Sequence, residues 1–205
     1  MPLSPSIIER LARARGDLRM GVPVVLTSGS AAALAVAVEA LTPGRLADLR
    51  RLGTPELALT ARRAETLKAR PYDGDLARLA LPEEAGLEWL CAMADPADDL
   101  RVPMKGPFLC LRGGNPALHR AAIHLAKAAY LLPAALLVAV PDGAETAALM
   151  NLTLIDLTEA APELERASPL SEVVSARLPM VASTAGRVHI FRPEDGGEEH
   201  YAIEI

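Results

Sequence analysis

The sequence predicts an α/β domain built on a mixed β-sheet, followed by a short β-hairpin segment. Three observations carry this. Ala134–Val140 is an unbroken apolar run, as expected of a strand covered on both faces. It follows an amphipathic helix, Pro116–Leu132, in which Leu118, Ala122, Leu125, Ala129 and Leu132 form one apolar stripe. After Ser168-Pro169 the helical pattern gives way to strand-like stretches at Val173–Leu178, Val188–Phe191 and His200–Ile205. A chain of 205 residues suffices for one good core, or for one domain and the start of a second. The expected division is 1–170 and 171–205.

The elements follow in order. Ser4 or Ser6 caps a helix carrying Ile7, Ile8, Leu11 and Leu18, which stops near Gly21. Val22–Thr27 reads as a strand and Ser28–Ser30 as a turn. Ala31–Leu41 is ambiguous. Alanine and Glu39 favour a helix, while Leu34, Val36 and Val38 alternate with alanine as in a strand. Thr42-Pro43 caps the next helix, which runs through Leu46, Leu49 and Leu52 to Gly53. Glu56–Thr60 reads as a strand, Arg62–Leu67 as a short helix, and Pro71–Gly74 as a turn. Pro82-Glu83-Glu84 opens another helix, with Leu87, Leu90 and Cys91 turned inward. Asp95–Lys105 reads as a loop, Phe108–Leu111 as a short strand and Arg112–Pro116 as a turn. Pro133 ends the helix before Ala134–Val140, and Pro141-Asp142-Gly143 turns the chain. Thr146–Leu157 mixes helical and strand signals, and Ala160–Glu165 is helical. Pro193–Glu199 is a polar loop containing Gly196-Gly197, and the closing strand suggests a chain cut from something longer or completed by a second chain.

Composition narrows the function classes. Apolar residues make up 51% and charged residues 23%, the reverse of a disordered chain. A net charge of −5 argues against nucleic acid or an anionic membrane as the main partner. Aromatic residues at 3% leave few platforms for stacking bases. The longest apolar run, Ala128–Val140, is too short to span a membrane and is broken by Pro133. Met1–Arg19 is too charged for a secretory signal, so the expected location is cytoplasmic.

The chemistry-bearing residues do not assemble into a recognisable site. Arg112-Gly113-Gly114-Asn115 lacks phosphate-loop spacing, although its amides could meet an anion before a helix. His119, His124, His189 and His200 form no metal-binding spacing, and they read as solvated residues, with His189 and His200 opposed across the terminal hairpin. Glu83-Glu84, Asp98-Asp99 and Glu198-Glu199 are adjacent, so their side chains diverge. Ser28-Gly29-Ser30 is not a nucleophile elbow. Cys91 and Cys110 read as buried, inert thiols. Arg45, Arg50, Arg51, Arg62, Arg63 and Arg70 cluster and could hold a phosphate, but read as a surface. Catalytic, cofactor-binding and metal residues are accordingly expected to number none.

The order Ile7–Gly21, Pro23–Thr27, Ala31–Leu41, Thr42-Pro43 and Glu56–Thr60, continued at Pro103–Leu111 and more closely at Leu118–Val140, resembles 3,4-dihydroxy-2-butanone-4-phosphate synthase. The resemblance makes Ala32–Val38 a strand. It also exposes departures. The family's carboxylate-rich loop is replaced by Ser28-Gly29-Ser30-Ala31, and the His and Glu of its "HTEA" segment by Leu118 and Arg120. No arginine-bearing segment for a phosphorylated sugar is recognisable between Leu79 and Asp95. Magnesium wants oxygen ligands including carboxylates, so the domain is expected to be synthase-like in fold and inactive in that reaction.

A second stretch, Val174–Pro179 through Gly186, Ile190-Phe191, Gly197 and Glu199–Ile203, resembles the opening strands of GTP cyclohydrolase II. The resemblance implies a non-catalytic scaffold or dimerisation domain ahead of a cyclohydrolase. The parent would hydrolyse GTP to a diaminopyrimidine with release of formate. The alternatives are a regulatory domain binding phosphate or a small metabolite, and a residual synthase acting on ribulose 5-phosphate. The cyclohydrolase zinc needs a three-cysteine spacing that Cys91 and Cys110 do not supply, so zinc is expected only beyond this chain. A homodimer and a C-terminal cyclohydrolase domain are the expected partners.

Overall fold

The computed structural model describes residues 3–165, 170–193 and 199–205. It divides into two units, Met1–Leu164 and Glu165–Ile205. In the first unit the chain runs α1 (Ile7–Arg19), β1 (Val24–Ser28), β2 (Ala31–Ala37), α2 (Pro43–Leu52), β3 (Glu56–Thr60), α3 (Ala61–Thr66), β4 (Leu76–Ala80) and α4 (Leu87–Ala94). It continues through α5 (Ala117–Ala128), β5 (Ala134–Val140), α6 (Gly143–Met150), β6 (Leu154–Asp156) and α7 (Leu157–Glu165). The six strands form one sheet in the order β4-β3-β5-β2-β1-β6. Every pairing is antiparallel except β1 with β6, which makes the sheet mixed.

Alternation sorts side chains onto two buried faces. Leu34, Val36, Leu57, Leu59, Leu136 and Val138 point to one, where Leu46 and Leu49 of α2, Leu90 and Met93 of α4, and Ala147 of α6 cover them. Ala33, Ala35, Ala58, Ala135 and Leu137 point to the other, against α1, α5 and α7. Along β2 the alanines Ala33 and Ala35 face the second layer while Leu34 and Val36 face the first, so Ala31–Ala37 is a strand despite alanine's helix preference. β5 lies third of six, and Ala134–Val138 are buried while Ala139 is exposed.

Local chemistry sets the ends. Ser6 and Glu9 form a reciprocal capping box at α1. Gly21 lies at φ +70, and a Cβ there would sit 2.1 Å from the Ala40 carbonyl oxygen, so only glycine closes α1 this way. Thr42 caps α2 through its hydroxyl.

Several expectations need correction. β4 was not anticipated, because Arg78 interrupts its apolar pattern. Phe108–Leu111 is not a strand. It is reduced to an isolated bridge between Leu79 and Cys110, flanked by bonds from Ala80 N–H to the Leu109 carbonyl and from Leu111 N–H to the Arg78 carbonyl. Pro82–Glu84 does not open a helix, since α4 starts at Leu87 behind Gly86. α5 stops at Ala128, not Leu132. Tyr130 takes φ +58, and the N–H groups of Tyr130 and Leu131 return to the carbonyls of Lys127 and Ala126.

The second unit is a hairpin-like three-stranded antiparallel sheet of β7 (Leu170–Arg177), β8 (Arg187–Pro193) and β9 (His200–Glu204), at the three stretches the sequence marks as strands. His189 pairs with Ala202, and His200 with Phe191, so the two histidines are not opposed. The Ser168-Pro169 boundary and Gly196-Gly197 lie outside the described residues, as does Glu198.

Candidate functional site

The first region to test is the β1–β2 turn. Ser28 pairs with Ala31, so the connection is only Gly29 and Ser30, with Gly29 at φ +59. This is the shortest ordinary hairpin. It supplies hydroxyls and no carboxylate. Glu39, the nearest carboxylate downstream, accepts from the Leu132 backbone N–H at 2.6 Å.

The start of α5 brings other polar residues together. His119 Nε2 lies 2.8 Å from Glu56 Oε2, with the His119 side chain 12% exposed. The hydrogen bond from His119 holds Glu56 below its usual pKa against the opposing effect of burial. His119 Nδ1 is buried and has no hydrogen-bond partner among the described residues, so the ring is not the solvated one the sequence suggests. Arg120 makes two 2.7 Å bonds to Asp75. Arg78 binds Asp73 through Nε at 2.8 Å and donates to the Gly113 carbonyl at 2.6 Å. Arg112 stacks over the Tyr72 ring at 4.3 Å and donates to its hydroxyl. The Arg112–Asn115 turn is thus pinned by side chains, with Gly113 and Gly114 at positive φ. These groups neutralise one another. Magnesium does not fit them: Leu118 and Arg120 offer no oxygen, and Glu56 is occupied by His119. Among the described residues no group of three His, Cys, Asp or Glu could hold a metal ion.

The third region was missed as a constellation. Arg63 and Lys105, with side chains 7% and 3% exposed, converge on Asp99. Arg63 donates to both Asp99 oxygens, at 2.6 and 2.8 Å, and to the carbonyls of Ala92, Met93 and Asp95 at the end of α4. The Lys105 ammonium donates to Asp99. Hydrogen bonds from Arg63 and then Lys105 hold the Asp99 carboxyl well below the usual aspartate range. Trp89 Nε1 donates to the Lys105 carbonyl at 3.1 Å, and its ring lies 6.5 Å from that of Phe108. Beside these groups opens a cleft of about 640 Å³.

The remaining arginines divide. Arg63 is buried, which corrects the surface reading for that residue. Arg45 donates to the Met20 carbonyl, Arg50 to the carbonyls of Pro82 and Ala85, and Arg51 to Asp48. Arg62 and Arg70 are exposed. Cys91 and Cys110 are half-buried on separate segments, and burial pushes the Cys91 thiol up, away from reactivity. His124 lies 3.2 Å from the Leu164 carbonyl, and His189 bridges Glu172 and Glu204 at 3.1 Å each.

No helix among the described residues is long and apolar enough to cross a membrane. No family model matches the chain. A GTP cyclohydrolase-2 from Azospirillum brasilense is 30% identical over 213 aligned residues, covering 100% of this chain and 55% of that protein. The chain therefore spans about half the length of this curated relative. Two solved structures share the fold. RibBX, a two-domain 3,4-dihydroxy-2-butanone 4-phosphate synthase from A. baumannii, superposes with a TM-score of 0.53 at 14% identity, over 95% of this chain and 69% of its own. The 3,4-dihydroxy-2-butanone 4-phosphate synthase of Candida albicans gives 0.55 at 16% identity, over 75% and 96% respectively. At such identities the likeness is one of fold. The chain thus has a synthase-like α/β fold and a distant sequence similarity to a GTP cyclohydrolase-2.

Proposed function

We propose that the chain is the N-terminal part of a GTP cyclohydrolase II-type riboflavin-pathway protein, in which the synthase-like domain binds rather than catalyses. In this reading residues 1–170 are the degenerate synthase domain, and 171–205 are the first strands of a cyclohydrolase domain. The parent would open GTP to a diaminopyrimidine with loss of formate, using zinc held outside this chain. No residue here is assigned to catalysis, a cofactor or a metal, and the chain pairs as a homodimer in the cytoplasm. The supporting observation is the β1–β2 connection. A two-residue turn, Gly29-Ser30, stands where the resemblance puts the family's carboxylate loop.

Two non-catalytic roles are open to such a domain, scaffold and ligand-binding regulator. The cleft beside Lys105 and Asp99 favours the second. The test is incubation of the purified chain with ribulose 5-phosphate and magnesium. The expected result is no product above a no-protein control. Product formation would establish the residual-synthase reading instead, and its loss in Glu39→Gln or Glu56→Gln would identify the carboxylate responsible. Sedimentation equilibrium at micromolar concentration tests the dimer, which a constant mass of 21.6 kDa would exclude.

A further inference from the structure

We infer that the cleft bounded by Thr66, Lys68, Asp99, Met104, Lys105 and Phe108 is a binding site for a phosphate-bearing small molecule with an apolar or aromatic body. The inference rests on the binding role proposed above, and not on the pathway assignment.

Charge favours an anion here. Two buried cations, Arg63 and Lys105, share one carboxylate, Asp99. Arg63 is saturated by Asp99 and by carbonyls at the end of α4. Lys105 is not. An ammonium carries three donors, and among the described residues only one of them, to Asp99, has a partner. The neighbouring Asp98 makes no hydrogen bond to it and acts on it only through space, since Arg101 holds Asp98 at 3.0 Å and also reaches Glu88. Lys68 adds a further positive charge to the lining. It sits at the left-handed position that closes α3, with φ 62, where glycine is the usual residue. Lys105 and Lys68 thus line the cleft with Asp99 as the one carboxylate among its lining residues, and Asp99 is shared with Arg63, so an anion would complete the balance of charge. Burying charge without a counter-ion is costly, so an anion entering here gains more than it would at an open surface.

Shape and surface favour an organic body attached to that anion. Leu67, Pro103, Met104, Pro107 and Phe108 supply apolar wall, and a volume near 640 Å³ falls within the range of small-molecule sites. The N–H groups of Met104, Lys105, Gly106 and Phe108 make no backbone hydrogen bond among the described residues, so the loop carries spare donors beside the cations. Inorganic phosphate would use only the polar end of this cleft. A phosphomonoester with a ring would use both ends.

The chain reports on the site by itself. Trp89 is the sole tryptophan, and it is hydrogen-bonded to the carbonyl of Lys105 and packed beside Phe108. Titration of the whole chain with phenyl phosphate at constant ionic strength is expected to change Trp89 emission saturably, with inorganic phosphate binding at least 10-fold more weakly and chloride giving no change. Lys105→Met is expected to weaken phenyl phosphate binding at least 10-fold. Lys68→Ala, an exposed position that leaves the fold intact, is expected to weaken it about threefold to tenfold. Calorimetry on the same samples separates the outcomes. Binding that neither substitution weakens overturns this site while leaving a binding role elsewhere. Absence of binding in the unsubstituted chain overturns both.

Discussion

β5 and β8 are both central strands, and their surroundings differ. β5 sits between two strands and two layers of helices, so Leu136 has no exposed surface at all. β8 also sits between two strands, yet Val188, Ile190 and Phe191 are only half-buried. Cross-strand neighbours put Val174, Ala176, Val188, Ile190, Tyr201 and Ile203 on one face of the second sheet, and Val174, Tyr201 and Ile203 remain 50%, 64% and 58% exposed. A central position guarantees hydrogen bonds to a strand. A core requires something packed on its face. The same contrast holds for charge. Asp99 joins two buried cations, whereas Glu172 and Glu204 flank His189 at an exposed site.

The largest expected difference is in packing. Leu136→Ala should cost about 2–5 kcal/mol of the first unit's stability, measured by urea unfolding. Ile203→Ala should cost under about 1 kcal/mol, because most of the side chain is already in water. Equal costs would erase the contrast.

Next comes the buried ion cluster. Asp99→Asn leaves Arg63 and Lys105 without a counter-ion and should cost about 2–3 kcal/mol. Since the folded state holds Asp99 below its ordinary range, its stabilisation is present above the ordinary aspartate pKa. It is lost as pH falls below that value towards the depressed one. Acid unfolding of Asp99→Asn should therefore be less steep than that of the unsubstituted chain.

A smaller effect belongs to Gly143, which begins α6 against the sheet. A Cβ there would lie 2.4 Å from Thr27 Cγ2 and 3.0 Å from Ala32 Cβ, so Gly143→Ala should cost about 1–3 kcal/mol in the same unfolding assay. The smallest effect concerns His189. Hydrogen bonds to Glu204 and then Glu172 raise its pKa above the ordinary histidine value. Any stabilisation is therefore complete below the ordinary value and fades as pH rises through the raised one. Proton NMR titration should show the raised midpoint, and Glu204→Gln should bring it down.

What could be read from the sequence follows the same physics. β5, α5 and the stop at Gly21 were legible because burial writes itself into apolar spacing and turn residues. β2 was legible only with the help of a family resemblance, since seven residues of alanine, leucine and valine satisfy both a helix and a two-sided strand. β4 was hidden by Arg78, whose inward charge makes sense only with Asp73, five residues earlier, and Gly113, thirty-five residues later. The Arg63–Asp99–Lys105 cluster was hidden for the same reason. Arg63 looked like one of six surface arginines, and its carboxylate partner lies 36 residues away. Non-local charge pairing leaves no periodic trace.

The first unit closes a core on both faces of its sheet, whereas Val174, Tyr201 and Ile203 of the second sheet keep half or more of their surface exposed. Native-state hydrogen exchange of the whole chain, resolved by residue, tests this most directly. The account predicts that amides of β2 and β5 exchange only through global unfolding, and that those of β8 and β9 exchange through far smaller openings. Protection in β8 equal to that in β5 would contradict it.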